Sequence, residues 1–218
     1  MIAIIDYKMG NVRSVAKALE SLGAKVELTA SKTKLAKAKA LVLPGVGAFA
    51  AGMKNLQKLK LIPEIKKAIA QDKPFLGICL GQQLLFSQSY EHGKHKGLDI
   101  IPGEVVMFKP GLKIPHMGWN TITQVKSKKL KVKNEKQKIF VPGILEGIPD
   151  DSYFYFVHSY YVKPLSRKWI IATTEYGQKF ASIVGQGNTF GIQFHPEKSS
   201  DMGLKILKNF CRICGELE

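Results

Sequence analysis

Short continuous runs of apolar residues alternate with helical patterns through the first half of the chain. The runs lie at residues 2–5, 24–28, 40–43 and 75–78, and their continuity is typical of strands buried on both faces of a sheet. This alternation predicts an α/β fold with a mainly parallel central sheet and helices on both faces. Ligands bind to such sheets outside the carboxyl ends of the strands.

Helical spacing of apolar residues identifies two helices between these strands. Asn11 is suited to cap the first helix, which Gly23 ends, and Pro63 suits the first turn of the second. The apolar positions are Val12, Val15, Leu19 and Leu22 in the first helix, and Ile65, Ala68 and Ile69 in the second.

The second half of the chain is richer in strands. Candidate strands lie at residues 104–108, 153–157, 169–173, 180–184 and 189–194. The last two flank the glycine-rich stretch 185–188 and predict an antiparallel hairpin, so the sheet is expected to be mixed.

A final helix is predicted from about residue 201. Its apolar stripe contains Leu204, Leu207, Cys211 and Cys214, with Phe210 beside it. We therefore interpret both cysteines as core residues rather than as a redox pair. No repeat or linker divides the sequence, and residues 1–218 are expected to form one domain.

Cys79 stands between two glycines, where the strand pattern changes to a helical pattern at Leu80, Leu84 and Leu85. The stretch Gly77-Ile78-Cys79-Leu80-Gly81 has the form of the G-x-S-x-G nucleophile elbow, with sulfur in place of oxygen. Small flanking residues allow a sharp turn, and the amino terminus of the following helix favours a thiolate. A buried core cysteine is the alternative, but the flanking glycines favour a nucleophile.

A cysteine nucleophile that expels an amine needs a base and a group that orients the base. Among the five histidines, His195 ends a predicted strand and is followed by Pro196 and Glu197. Pro196 favours an extended conformation at His195, and residues two apart on an extended segment point to the same side. The other candidates are His92 and His95 in a polar turn, His116 in a segment expected to be a loop, and His158 after an apolar run.

Composition restricts the remaining possibilities. The formal net charge is +16, but most lysines are scattered, and the lysine cluster at residues 126–138 contains no aromatic residue. A solvated hairpin or loop is the preferred interpretation of this cluster, ahead of a docking surface for an acidic partner, and nucleic-acid binding is not expected. Three cysteines make no disulfide framework, and the sequence shows neither a signal peptide nor an apolar run of transmembrane length. A cytoplasmic protein without membrane contact is therefore expected.

These motifs together resemble those of the class I triad glutamine amidotransferases, which have a flavodoxin-like fold. The elbow around Cys79 and the sequence His195-Pro196-Glu197 carry that resemblance. Further segments are similar to the glutaminase subunits of imidazole glycerol phosphate synthase. They are IDY at 5–7 with Gly10-Asn11, PGVG at 44–47, IPHMGWN at 114–120, FVHSYY at 156–161 and HPEKS at 195–199. Two departures are Lys8, where the family has glycine, and a longer stretch between residues 120 and 153.

The resemblance implies hydrolysis of glutamine to glutamate and ammonia. The ammonia would pass to a (β/α)8-barrel cyclase subunit, which makes imidazole glycerol phosphate and AICAR in histidine biosynthesis. The implied site residues are a catalytic triad of Cys79, His195 and Glu197, oxyanion donors at Val46, Gly47 and Leu80, glutamine contacts at Gly47, Gln83, Glu91, Ser159 and Tyr160, and partner contacts at Asn11, Trp119 and Lys198. No metal or other cofactor is expected.

Two alternatives stand beside this interpretation. A paralogous glutaminase would supply ammonia to a different synthase. A non-catalytic regulatory subunit would leave the site unused, although the complete set of triad residues argues against it.

Overall fold

The computed structural model describes residues 1–125 and 143–217, and within them it contains fourteen strands and six helices. The strands are β1 (Ile2–Ile5), β2 (Val26–Thr29), β3 (Ala40–Leu43), β4 (Phe75–Ile78), β5 (Phe86–Ser89), β6 (His95–Lys96), β7 (Ile101–Met107), β8 (His116–Thr121), β9 (Thr123–Gln124), β10 (Tyr153–His158), β11 (Tyr160–Pro164), β12 (Ile170–Glu175), β13 (Lys179–Gln186) and β14 (Thr189–Ile192). The helices are α1 (Val12–Ser21), α2 (Lys32–Lys37), α3 (Phe49–Lys58), α4 (Ile62–Ala70), α5 (Leu80–Leu84) and α6 (Ser200–Ile213). No helix in these ranges is both long and apolar enough to span a bilayer.

One large mixed sheet organises the fold. Its strands follow the order β2-β1-β3-β4-β14-β13-β11-β7-β5-β6, while β12 pairs with β13 and β9 pairs with β12. The strands from β2 to β14 are parallel to one another, and β13 begins the antiparallel part. A separate ribbon is formed by β8 and β10. The predicted α/β class with a mainly parallel, mixed central sheet is confirmed.

Alternate residues of the sheet face two separate cores. On β1, Ile2 and Ile4 pack into the core that α1 and α6 cover, whereas Ala3 and Ile5 pack into the core that α2, α3 and α4 cover. Because successive side chains of a strand point to opposite faces, a strand buried on both faces is apolar at every position. This explains the continuous apolar runs in the sequence.

The predicted elements are found with small shifts at their ends. Asn11 caps α1, where its side-chain oxygen accepts a hydrogen bond from the Ser14 N–H at 3.3 Å. The antiparallel hairpin is β13 and β14, and both cysteines of α6 are buried. The strand expected at 24–28 begins two residues later, at Val26.

One expectation needs correction, and the structure adds elements that the sequence did not predict. The segment around His116 is a strand, β8, and not a loop, because it pairs with β10 along its whole length. The helical pattern after Cys79 corresponds to the short helix α5, which ends at Leu84 with Leu85 as its C-cap, and the chain then enters β5. Helix α2 and several short strands had not been predicted. The lysine cluster at 126–138 lies outside the described residues.

Lys8, which stands where the family has glycine, adopts the left-handed backbone conformation with φ +63°. Its exposed ammonium pairs with Asp6 at 3.1 Å, and its backbone N–H donates to the same carboxylate. The backbone hydrogen bond would survive in glycine, and an exposed ion pair contributes little.

We therefore expect Lys8→Gly to raise the free energy of unfolding by about 0.5–1 kcal/mol, because it removes backbone strain. Urea unfolding measures this change. Lys8→Ala is the control, since it removes the same ammonium but keeps the strained φ. Equal stabilisation by both substitutions would show that backbone strain is not the cause.

Candidate active site

Two adjacent parallel strands bring Cys79 and His195 to the same edge of the sheet. Ile78 at the end of β4 is in register with Ile192 at the end of β14. The Cys79 N–H continues this pairing and donates to the Ile192 carbonyl at 2.7 Å. His195 follows three residues later, so residues that are distant in the sequence meet where ligands bind in α/β sheets.

The turn at Cys79 has the geometry of a nucleophile elbow. Its backbone is strained, with φ +53° and ψ −109°, and Cys79 directly precedes α5. A Cβ atom on Gly81 would lie 1.7 Å from the Leu43 carbonyl oxygen, and one on Gly77 would lie 2.6 Å from the Gly81 carbonyl oxygen. Both flanking glycines are therefore required by close backbone approach.

His195 and Glu197 form a buried pair beside this cysteine. The His195 Nδ1–H donates to Glu197 Oε1 at 2.9 Å, and each side chain is 3% exposed. Burial acts to lower the pKa of His195, but interactions with the Cys79 thiol and the Glu197 carboxylate outweigh it and raise the pKa to about 10. The imidazole therefore carries its proton at neutral pH.

The raised pKa of His195 makes the stability of the fold depend on pH. The protonated ring stabilises the fold fully below the usual pKa of 6.5, and this contribution is lost as the pH rises towards about 10. We expect Glu197→Gln to lower the free energy of unfolding by about 1.5–3 kcal/mol below pH 6.5 and by less as the pH approaches 10.

Urea unfolding of the wild type and Glu197→Gln at about pH 6 and about pH 9.5 checks this pH window. Asp201→Asn is a suitable control, because it removes an exposed carboxylate from the same part of the chain. A difference between wild type and Glu197→Gln that does not shrink with rising pH would contradict the assignment.

A cavity of about 610 Å³ opens above Cys79. Every residue that the resemblance implies for oxyanion or glutamine contact lines it, namely Val46, Gly47, Leu80, Gln83, Glu91, Ser159 and Tyr160. The sequence motifs that contribute these residues therefore converge on one space, which is large enough for an amino-acid substrate.

One of the expected oxyanion donors is already occupied. The Leu80 N–H donates to the Gly45 carbonyl at 3.2 Å. Gly47, two residues further along the same turn, has φ +103°. In this conformation the turn at residues 44–47 thus supplies an acceptor to the Leu80 N–H, and an oxyanion would have to replace that acceptor.

Glu91 has a structural contact in addition to its place in the cavity. Its Oε2 atom accepts a hydrogen bond from the Phe49 N–H at 2.5 Å, at the amino terminus of α3. The Glu91 side chain is half-buried. A carboxylate at a helix amino terminus is stabilised by the unpaired N–H groups there.

A buried polar network that the sequence did not predict lies beside the cavity. His116 Nδ1 and His158 Nε2 are 3.0 Å apart, and His158 Nδ1 is 2.8 Å from the Tyr160 carbonyl oxygen. Gln83 Nε2 donates to that carbonyl oxygen at 3.1 Å and to Gln193 Oε1 at 3.2 Å. Burial lowers the pKa of His116 to about 4 and that of His158 to about 3, so both rings are neutral.

Gln193 and Tyr7 are further site residues that sequence reasoning missed. Gln193 Nε2 lies 3.8 Å from the Cys79 sulfur. Because Gln193 precedes His195 by two residues, the same-side argument that placed Glu197 could have found it. The Tyr7 hydroxyl is buried beneath the turn at Gly45, and burial together with Cys79 raises the pKa of Tyr7. No sequence signal distinguishes Tyr7 from a core aromatic residue.

The residues implied for partner contact are all exposed. Asn11 caps α1, Lys198 follows the His195-Glu197 pair, and Trp119 lies on the outer face of the β8–β10 ribbon. Trp119 is 53% exposed, and neighbouring apolar residues on the ribbon, Met117 and Tyr153, are exposed as well. An exposed apolar patch of this kind is typical of a protein interface.

Comparison with known proteins identifies relatives along nearly the whole chain. The family model for class-I glutamine amidotransferases matches residues 3–214. A subunit of Desulfitobacterium hafniense named imidazole glycerol phosphate synthase subunit HisH is 50% identical, and the alignment covers 99% of this chain and 96% of the relative. The HisH subunit of Aquifex aeolicus is 48% identical, with 98% and 97% covered. A crystal structure described as a glutamine amidotransferase has the same fold, with a TM-score of 0.73, 18% identity and 98% of both chains covered.

Proposed function

The chain belongs to the class-I glutamine amidotransferase family and is a glutaminase subunit of the imidazole glycerol phosphate synthase type; on that premise we propose that Cys79, His195 and Glu197 are its catalytic triad. The proposal treats residues 1–218 as one glutaminase domain. It also includes a cyclase subunit as the partner that receives the ammonia and the cytoplasm as the location of the complex.

One observation carries the assignment of the triad. The elbow cysteine and the buried histidine follow neighbouring parallel strands, and the histidine is hydrogen-bonded to a carboxylate at 2.9 Å. A nucleophile, a base and a group that orients the base are the three parts that amide hydrolysis through a covalent intermediate needs. Of the three, the proposed nucleophile Cys79 lines the cavity of about 610 Å³.

The raised pKa of His195, about 10, suits the first step of the reaction. The Cys79 thiolate attacks the side-chain carbonyl of glutamine, and the protonated His195 ring donates its proton to the departing nitrogen. Ammonia leaves and a thioester remains. His195, now neutral, takes a proton from water as the water attacks the thioester, and glutamate is released while Glu197 keeps Nδ1 protonated.

The turn at residues 44–47 supports a role for the partner in activation. While Gly45 accepts the Leu80 N–H, that donor is unavailable to an oxyanion. A missing oxyanion donor typically lowers the rate by about 10²- to 10³-fold. Glycine at 45 and 47 permits a change of backbone conformation, and we propose that the engaged cyclase favours the conformation that frees the Leu80 N–H.

A reconstitution assay tests the proposed function. The protein is mixed with a candidate cyclase, and glutamate release is measured with and without the nucleotide substrate of the cyclase. We expect release to increase when both are present. No release with any combination would favour a non-catalytic subunit, and activation by a synthase of another pathway would favour the paralogous glutaminase.

The exposed apolar patch on the β8–β10 ribbon gives a separate prediction about the partner. Trp119→Ala should weaken cyclase binding about 30-fold, because a large aromatic residue at an interface often contributes about 2 kcal/mol. Titration calorimetry measures the affinity. Leu165→Ala is the matched control, since Leu165 is 81% exposed but follows β11 of the large sheet and does not belong to the β8–β10 ribbon. Equal weakening of cyclase binding by both substitutions would show that Trp119 does not lie in the interface.

A further inference from the structure

Two hydrogen-bonding groups lie close to the Cys79 sulfur. Gln193 Nε2 lies 3.8 Å away and the Val157 carbonyl oxygen lies 4.0 Å away. The carbonyl oxygen can only accept, so it stabilises the protonated thiol. An amide N–H can only donate, so it stabilises the thiolate. The effect of Gln193 therefore depends on which end of its side chain faces the sulfur.

The surrounding hydrogen bonds determine the orientation of the Gln193 amide. The Tyr160 carbonyl oxygen has two lone pairs, and it accepts from His158 Nδ1–H and from Gln83 Nε2. Because that oxygen can only accept, the Gln83 amide must present its NH₂ group. The second hydrogen of this NH₂ group is donated to Gln193 Oε1, which leaves the Gln193 NH₂ group facing Cys79.

The two neutral histidines hold the Tyr160 end of this chain in place. His158 donates from Nδ1, so its Nε2 must accept from the His116 Nδ1–H at 3.0 Å. His116 Nε2 then accepts from Asn120 Nδ2 at 3.2 Å. Every donor in the chain from Asn120 to Cys79 meets an acceptor, and the reverse orientation of Gln193 would set its NH₂ group against the NH₂ group of Gln83, so that two donors face each other.

We propose that Gln193 is a catalytic residue that donates a hydrogen bond to the Cys79 thiolate and stabilises it, with its amide oriented by Gln83 and the Tyr160 carbonyl. The proposal rests on the proposed function, since it assigns a further role at the same site. Gln193 is fully buried, so its amide is shielded from bulk solvent. Hydrogen bonds to a charged group are stronger than those between neutral groups.

Alkylation of Cys79 by iodoacetamide tests the proposal without requiring glutamine. The thiolate forms a carbon–sulfur bond and iodide leaves, so the rate follows the thiolate fraction. We expect Gln193→Leu to move the pH midpoint of alkylation upwards by about one unit, which slows the reaction about tenfold at pH values below the wild-type midpoint. The other titratable groups near the sulfur are His195, Tyr7 and His158, and all of them are retained in this variant.

Gln82→Leu is the matched control. Gln82 is also fully buried, neighbours Gln83 on α5, and donates to the Gly191 carbonyl at 3.3 Å rather than to the sulfur. Its alkylation midpoint should stay at the wild-type value. Gln193→Glu provides a second variant of nearly the same size, and it should shift the midpoint upwards at least as far as Gln193→Leu, because a carboxylate beside the sulfur disfavours a thiolate.

The outcomes separate this proposal from the proposed function. The role of Gln193 is overturned if folded Gln193→Leu or Gln193→Glu keeps the wild-type midpoint of alkylation. It is also overturned if Gln82→Leu shifts the midpoint equally. In both cases glutamate release by the wild type stays intact. Absence of glutamate release by the wild type, with the shift still present, would overturn the glutaminase assignment alone. Thermal melting identifies any variant that does not fold.

Discussion

Replacing Cys79 with alanine is expected to lower glutamine hydrolysis in the reconstituted complex by at least about 10⁴-fold. The substitution removes the sulfur that would form the thioester in the proposed mechanism, and no other nucleophile among the described cavity-lining residues occupies the elbow. The fold should persist, because alanine is smaller than cysteine and the elbow glycines are unchanged. Glutamate release in the presence of the cyclase and its nucleotide substrate measures the loss.

Cys211→Ala provides the matched control for this experiment. Cys211 is also a free, buried cysteine, but it lies on α6 within the core that α1 and α6 cover. Its replacement should leave the glutaminase rate unchanged. Hydrolysis that survives in Cys79→Ala, or is lost in Cys211→Ala, would contradict the assignment of the nucleophile.

The second large effect concerns the backbone beneath the elbow. Gly81→Ala is expected to lower the free energy of unfolding by more than about 3 kcal/mol or to prevent folding. The added Cβ would lie 1.7 Å from the Leu43 carbonyl oxygen, which belongs to β3 in the centre of the sheet. Neither α5 nor β3 can move away without breaking sheet or elbow contacts, so urea unfolding should show a large shift.

Gly143→Ala serves as the comparison for Gly81→Ala. A Cβ at Gly143 would meet the Ile213 side chain at 3.6 Å, which is an ordinary van der Waals distance. We expect its unfolding midpoint to lie close to that of the wild type. If Gly81→Ala unfolds at the same urea concentration as Gly143→Ala, the close approach between α5 and β3 is not as tight as the structure indicates.

Much of the fold follows from local patterns in the sequence. Strands β1, β3 and β4 are continuous apolar runs because both of their faces are buried, and such runs are visible without any partner. The cap of α1 by Asn11 and the hairpin of β13 and β14 are also visible in the sequence, because each involves residues that are close together along the chain. The segment at β8 was misinterpreted because only one side of the ribbon is buried and its partner, β10, is distant in the sequence.

The candidate site was predictable where a motif is local. The elbow requires glycine beside Cys79, and the extended His195-Pro196-Glu197 segment places a carboxylate beside an imidazole. Gln193 lies two residues before His195, so the same-side argument applies to it, but its contact with the sulfur is visible only in the structure. Tyr7 carries no such signal, because a buried tyrosine is identified by what it contacts and not by its neighbours in the chain.

The sequence by itself thus determined the class of fold, the elbow and the pairing of His195 with Glu197, since each depends on residues that are close together along the chain. The tertiary structure alone decided that β4 lies beside β14, that Leu80 donates to Gly45, and that a chain of hydrogen bonds orients Gln193 towards the sulfur. These contacts join distant segments. Their geometry depends on strand order and register across the sheet, which local spacing does not specify.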